Sequence, residues 1–421
     1  MVWNKIRLFE LKILVYEYFT GGGLYNLPLF SSVLSEALGM LKNLISDFKF
    51  AGHLVTTILD SRLNKSISVQ IEADEIIPIF SLKELESIID KVSLKIDAAY
   101  IIAPETDEIL QDILKIIKNS GIISLNCSCL GINRVYDKSS LYEFLKNNKV
   151  QVPESLGFSI LDKLSDIKER VRKNFSYPIV IKPMKGAGCE GISIVQNEQE
   201  LKRAISKIRN SSNIKYFLIQ NFVKGIDASI NLLSNGHEAV ALSLNKQNIR
   251  IAGPDSYSEY LGGIVPLDSP FKNQAFEISE NIVSSIKGLI GYIGIDLIIT
   301  NNEVVVIEIN PRLTTSYIGL RKVINLNLGQ SLIDCVFKKN IPNEISLKGY
   351  IFFTKINSPH VINFLVNNHQ IFEILSPSIK ISGYKTTCPI VAIKSKTKRC
   401  FDRKLVNFNS KVGNFIGGIK F

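Results

Sequence analysis

"GIDLIITNNEVVVIEINPR", residues 294–312, is where the chain shows its architecture most clearly. Two β-branched runs flank Asn301-Asn302-Glu303, so the stretch predicts a β-hairpin. Glu308 and Asn310 are two apart on the second strand and share a face. The position of Asp296 depends on the turn. A three-residue loop, Asn301-Asn302-Glu303, sets Asp296 opposite Glu308 on that face, whereas a two-residue Asn301-Asn302 turn sends it to the other side. We expect the three-residue loop, because it gathers two carboxylates and an amide oxygen. Those are hard oxygen ligands, suited to Mg²⁺ shared with nucleotide phosphates. Arg312, two positions on, brings a rigid fork to a phosphate or carboxylate. The bland alternative is a solvated acidic strand, against which Ile298, Val304 and Val306 are expected on the same face.

Two glycine clusters lie upstream. "IVIKPMKGAGCEGI", residues 179–192, places Lys182 at the end of a β-branched strand, with Gly186, Gly188 and Gly191 in a hairpin loop. Such a loop lets backbone N–H groups close over phosphate oxygens while a lysine supplies charge. Alone, it reads equally as a flexible hairpin. "YEYFTGGGLYN", residues 16–26, fits neither a dinucleotide loop nor a Walker loop, which needs Gly-Lys-Ser/Thr. Gly21, Gly22 and Gly23 are either a tight turn needing positive φ or a substrate contact.

The 421 residues are 46% hydrophobic and 21% charged, the balance of an ordinary globular protein with room for two or three domains. No apolar run reaches the length of a membrane span, and "MVWNKIRLFELKILV" lacks a signal-peptide cleavage pattern. The six cysteines form no CxxC pair and the four histidines are scattered. A zinc site or disulfide framework is therefore not expected, and a reducing cytoplasm is. The net charge of +11 is concentrated late, residues 391–421 carrying eight Lys or Arg against the single Asp402. "KSKTKRCFDRK", residues 394–404, reads as a solvated strand edge or loop in preference to an RNA contact. Positive charge also suits an enzyme whose ligands are anions.

Residues 1–131 alternate strand and helix: "KILVYEY", a helix from Leu27 to Phe48, "HLVTTILD", "LKELESIIDKV", "DAAYIIAPE" and "ILQDILKIIKNS". That pattern predicts a doubly wound α/β domain with a parallel sheet, its ligands beyond the carboxyl ends of the strands. Glu17 and Glu105 fall at such ends and should face one crevice. Residues 132–344 change to α+β texture, and 345–421 form a small β-rich extension without an assignable motif.

Taken together, these segments resemble the ATP-grasp ligases over most of the first 340 residues. The resemblance implies a two-lobed ATP-grasp domain over 132–344 behind the N-terminal α/β domain. "VYDKSSLYEFLKNNKVQVPES" is similar to the family's first-lysine segment, which makes Lys138 a phosphate contact. Lys182 and the loop from Gly186 through Gly188 to Gly191 resemble the second lysine and its flap. "LIQNFVKGIDASI" resembles the hinge, with Gln220 near the adenine, Phe222 and Val223 offering backbone groups and Asp227 bonding the ribose. Asp296, Glu308 and Asn310 match the metal ligands, and Arg312 the arginine near the transferred phosphoryl group. "EYFTGGG", "AGHLVTTILDSRL", "IAPETDEIL" and "EINPRLTTSYIGLR" resemble one branch, the tyramine–L-glutamate ligases of methanofuran biosynthesis.

That resemblance implies ATP and Mg²⁺ or Mn²⁺ as cofactors and Arg312 and Lys182 as catalytic groups. It implies a small carboxylate and an amine as partners, with no membrane or nucleic acid; a homo-oligomer stays open. The expected substrate side comprises Glu17, Gly21, Gly22, Gly23, Glu105, Tyr260, Gly262, Gly263, Thr314 and Ser316, although capping carboxylates and packing tyrosines would look the same. Two rivals stand beside it: an amino-acid or dipeptide ligase with another acceptor, and a non-catalytic nucleotide- or RNA-binding protein with a basic C-terminal module.

Overall fold

The computed structural model describes residues 10–25, 31–63, 71–186, 191–210, 214–356, 372–377 and 388–412. The N-terminal part is a parallel sheet of β1 (Lys12–Glu17), β2 (Leu54–Asp60), β3 (Glu75–Ile79), β4 (Ala98–Ile102) and β5 (Ile123–Ser124), in the order β3-β2-β1-β4-β5. Its central strands are apolar along their length because helices such as Ser31–Phe50 and Ile109–Asn119 intervene between them. The strand order reverses between β1 and β4, which opens a crevice beyond their carboxyl ends. Glu17 ends β1, and Glu105 follows β4 by three residues. The helix expected from Leu27 is described over Ser31–Phe50, and Leu27 lies outside the described residues.

A small antiparallel sheet follows: β6 (Ser155–Ser159), β7 (Ile179–Pro183), β8 (Ser193–Val195) and β9 (Tyr216–Asn221), in the order β6-β9-β7-β8. Helices Leu164–Asn174 and Glu198–Arg209 cover it, burying Ile167, Val171, Leu201 and Ile205 at helical spacing against Ile179, Ile181 and Ile219.

The remaining strands make one eight-stranded sheet. They are β10 (Ile226–Ser234), β11 (Ala239–Arg250), β12 (Glu259–Val265), β13 (Gly291–Ile299), β14 (Val304–Asn310), β15 (Tyr350–Lys355), β16 (Glu373–Ser376) and β17 (Ile390–Ser395). Their order is β14-β13-β10-β11-β12-β15-β17-β16. The late strands thus extend the larger lobe's sheet, β15 pairing directly with β12. The basic stretch 394–404 is not a strand edge or loop along its length: β17 ends at Ser395 and a helix, Lys398–Val412, begins. Phe401, Leu405 and Phe408 recur at helical spacing and pack on Phe352, Val391 and Ile393.

The decisive hairpin differs from expectation in a way that preserves its consequence. Thr300 N donates to Glu303 O at 3.0 Å, and Ile299 pairs with Val304, so the turn is the two-residue Asn301-Asn302 type. Carried through unbroken, that register would put Asp296 on the wrong face. Instead β14 bulges. Leu297 pairs with Val306 but Asp296 pairs with Glu308, leaving Ile307 as the extra residue. Asp296 and Glu308 therefore do stand opposite one another. Val304 and Val306 share a face with Leu297 and Ile299 in the core rather than with Asp296; Val305 opposes Ile298.

Candidate active site

Four elements bring charge to the strip where β13 and β14 meet. Asp296 Oδ2 accepts from Asn310 Nδ2 at 3.0 Å, and its Oδ1 accepts from Gln247 Nε2 on β11 at 2.8 Å. Lys138, first residue of the helix Lys138–Asn147, donates to Gly186 O at 3.0 Å and pairs with Glu308 Oε1 at 2.8 Å. Lys182, near the end of β7, donates to the Tyr142 hydroxyl at 2.7 Å. These groups lie in low-dielectric surroundings, and their protonation reflects it. Burial pushes Asp296 up to about 6, with the facing Glu308 charge adding to the shift. Burial also opposes Glu308's ionisation, but Lys138 and Lys182 outweigh it and hold Glu308 below the usual carboxylate range. Lys182 is pulled down to about 8 by burial, against the attraction of Glu308 and Asp296.

Two carboxylates facing across a ladder, one of them driven toward the neutral form, fit a divalent cation that would relieve their repulsion. Among the described residues no cluster of three or more His, Cys, Asp or Glu exists. The donor set is thus two carboxylates and the Asn310 amide, all hard oxygens, leaving positions for phosphate oxygens and water. It fits Mg²⁺ or Mn²⁺ and does not fit a structural zinc.

Around this strip the other expected residues fall at varied distances. Gly186 and Gly191 both have positive φ, 153° and 71°, at the ends of the flap, and Gly188 lies outside the described residues. Gln220 is buried on β9 and donates to Ser155 Oγ at 2.7 Å; Phe222 and Val223 follow it in the connection to β10. Asp227 shares the strand face of Ser229, the partner of Asp296, and burial raises it to about 6 against the pull of Lys246. Arg312 Nε donates to Glu105 Oε2 at 2.9 Å, tying the larger sheet to the N-terminal crevice, while Glu105 Oε1 is buried without a hydrogen-bond partner.

The substrate side needs amendment. Glu17 is 1% exposed, and its oxygens accept from Phe19 N at 3.2 Å, Thr20 N at 2.7 Å and Thr20 Oγ1 at 2.7 Å. Its carboxyl group closes the loop after β1, so Glu17 and Glu105 do not present a matched pair to one ligand. The three glycines answer to packing: a Cβ on Gly21 would strike the Tyr16 ring, one on Gly23 the Tyr18 ring, and Gly22 has φ 99°. Gly22→Ala should therefore cost about 1–3 kcal/mol of unfolding free energy, measured by urea titration. Gly262 and Gly263 likewise let β12 approach Phe353 O and Lys246 O at a bulge, with Tyr260 stacked beneath the Lys355 ammonium. Thr314 and Ser316 hydroxyls both reach Asn231 Oδ1, at 3.3 and 2.9 Å.

Burial raises Glu17 to about 7, against the Thr20 and Phe19 hydrogen bonds and the Arg312 charge. The folded chain therefore holds a proton that the unfolded chain releases near 4.5. This contribution is complete below the unfolded value and disappears as pH rises through about 7, an effect of about 3 kcal/mol. Glu17→Gln should flatten the fall in stability between about pH 5 and 8, as read from urea midpoints across that range; an unchanged slope would contradict it.

Sequence reasoning missed Tyr142, Gln247 and Asn231. Tyr142 was legible as the residue one helical turn after Lys138. Gln247 and Asn231 needed the sheet order.

Residues 135–316 match the ATP-grasp domain and 53–132 the pre-ATP-grasp 3 domain. With the lysines and the acidic strip already in place, these matches define the class of domain: residues 135–316 are an ATP-grasp domain. The chain is 28% identical over 343 residues to the tyramine–L-glutamate ligase of Methanocaldococcus jannaschii, an alignment covering 81% of this chain and 92% of that protein. The tyramine–L-glutamate ligase of Methanocaldococcus fervens is 29% identical over 311 residues, 73% and 89% of the two chains. The β,γ-ATP complex of Campylobacter jejuni biotin carboxylase has a TM-score of 0.72 at 13% identity, covering 96% of this chain and 91% of that one. That likeness is one of fold. The chain is an ADP-forming, ATP-dependent ligase. Among the described residues no helix is long and apolar enough to cross a membrane.

Proposed function

We propose that the protein joins the γ-carboxylate of L-glutamate to tyramine, with ATP converted to ADP and phosphate, as a step toward methanofuran. The observation that carries the site assignment is the Asp296–Glu308 pairing at the β14 bulge, with Lys138 and Lys182 arriving from separate elements. The substrate pair follows the names of the two relatives.

The chemical difficulty is bringing a carboxylate to a triphosphate, since both are anions. Lys138, Lys182 and Arg312 bind and orient them by supplying fixed positive charge in a low-dielectric cleft. Asp296, Glu308 and Asn310 would hold a divalent ion, which would supply further neutralisation of phosphate charge. The carboxylate oxygen takes the γ-phosphoryl group, the bond to ADP breaks, and an acyl phosphate results. The amine nitrogen then attacks the acyl carbon, phosphate leaves with the C–O electron pair, and the amine gives up a proton as the amide forms. Arg312 stabilises the oxyanion of that second step. The flap between Gly186 and Gly191 excludes water that would hydrolyse the acyl phosphate. Gln220, Phe222, Val223 and Asp227 hold the nucleoside.

A phosphate-release screen of amines against L-glutamate with Mg-ATP tests the reading, with mass measurement of any amide formed. Tyramine should give the highest kcat/KM and a γ-glutamyl product. Preference for an amino acid as acceptor would transfer the assignment to the dipeptide-ligase alternative.

A further inference from the structure

Lys182 and Ile307 belong to different sheets, and one hydroxyl touches both. Tyr142 lies one turn after Lys138 on the same helix and is 4% exposed. Its hydroxyl accepts from Lys182 Nζ at 2.7 Å and donates to Ile307 O at 2.7 Å. A phenol has a single proton to give. Because that proton goes to Ile307, the lysine must be the donor in the other bond, and its direction is fixed. The ammonium also sits 5.3 Å from the centre of the Tyr142 ring.

Both partners are groups that need such a residue. Ile307 is the extra residue of the bulge, so its carbonyl is released from the β13–β14 ladder. Left unmatched in the interior it would favour closing the bulge, and Asp296 would slip out of line with Glu308. Lys182 is a buried cation held by a neutral oxygen rather than a carboxylate, which leaves its positive charge available to an arriving anion.

We propose that Tyr142 is a positioning residue for nucleotide binding: its hydroxyl aims Lys182 at the phosphates and pins the bulge that aligns Asp296 with Glu308. It thereby sets the nucleotide grip of the small sheet and the cation-facing geometry of the large sheet together. The proposal rests on Lys182 meeting the nucleotide, so the test carries a control for that.

ADP binding is measured by isothermal titration without metal, for the wild type, Tyr142→Phe, Lys182→Met and the double variant, alongside KM values. Tyr142→Phe should weaken metal-free ADP binding and raise the KM for ATP by about tenfold, leaving the KM for the carboxylate and the amine in place. The double variant should bind ADP no more weakly than Lys182→Met alone, because the hydroxyl acts through the lysine. Wild-type ADP affinity in Tyr142→Phe, additive losses in the double variant, or a Tyr142→Phe chain that does not fold would each overturn the proposal. Unchanged ADP binding in Lys182→Met would instead remove Lys182 from the nucleotide site and sink the parent reading.

Discussion

Lys182→Met should abolish ADP release while thermal stability holds or rises. The two effects part because the lysine is placed for a ligand. In the folded chain its amine is buried, meets the Tyr142 hydroxyl at 2.7 Å, and is pulled down to about 8 by that burial. The unfolded chain keeps the ordinary value of 10.5. A depressed lysine is a destabilising one near neutrality, since folding must hold a cation away from water. The full shift is worth about 3 kcal/mol. Methionine fills a similar volume without the charge, so that penalty is relieved. Turnover has no such relief. Removing one preorganised cation from the path of a migrating phosphoryl group costs roughly 100- to 1000-fold, below the detection of ordinary ADP assays. Differential scanning with an ADP-coupled assay measures both. Retained turnover, or a large drop in midpoint, would place Lys182 in a structural role.

Arg312→Met should fail on both counts. The guanidinium donates to Glu105 at 2.9 Å, and the side chains are 15% and 7% exposed. Cutting away one member of so buried a pair leaves the other uncompensated, at about 3–5 kcal/mol. Adding Glu105→Gln to Arg312→Met should return much of that stability, since the stranded charge is then gone, and should return no activity. Denaturant midpoints and initial rates of Arg312→Met, Glu105→Gln and the double variant make the separation. Activity in the double variant would show that Arg312 orders the interface without meeting the reacting groups.

The contrast between these two residues shows what was readable in the chain. Lys182 ends a β-branched strand before a glycine loop, and Glu308, Asn310 and Arg312 alternate along another; strand periodicity alone puts each set on one face. The position of Asp296 was not readable in that way. Asn301-Asn302 has the chemistry of a two-residue turn and forms one, and the bulge that restores alignment answers to Tyr142, distant in the chain, and to Val306 N bonding Gln151 O at 2.8 Å. Local propensity carries no trace of such non-local contacts. The bonding of Glu17 to its own loop was hidden for a related reason. A carboxylate at a strand end looks the same whether it faces a substrate or folds back on its own loop, and only the path of Phe19 and Thr20 distinguishes them. The helix Lys398–Val412 was legible after all, since Phe401, Leu405 and Phe408 keep a helical period beneath the basic residues that drew attention away.

Oxygen-isotope transfer tests the account most directly. L-Glutamate carrying ¹⁸O at both oxygens of its γ-carboxylate is turned over with unlabelled Mg-ATP and tyramine, and the released phosphate is weighed by mass spectrometry. The account predicts an ¹⁸O atom in the inorganic phosphate for every amide formed, because the carboxylate oxygen takes the phosphoryl group and leaves with it. Unlabelled phosphate beside labelled amide would mean that ATP is hydrolysed without activating the carboxylate, and the chemistry assigned to this cleft would be wrong.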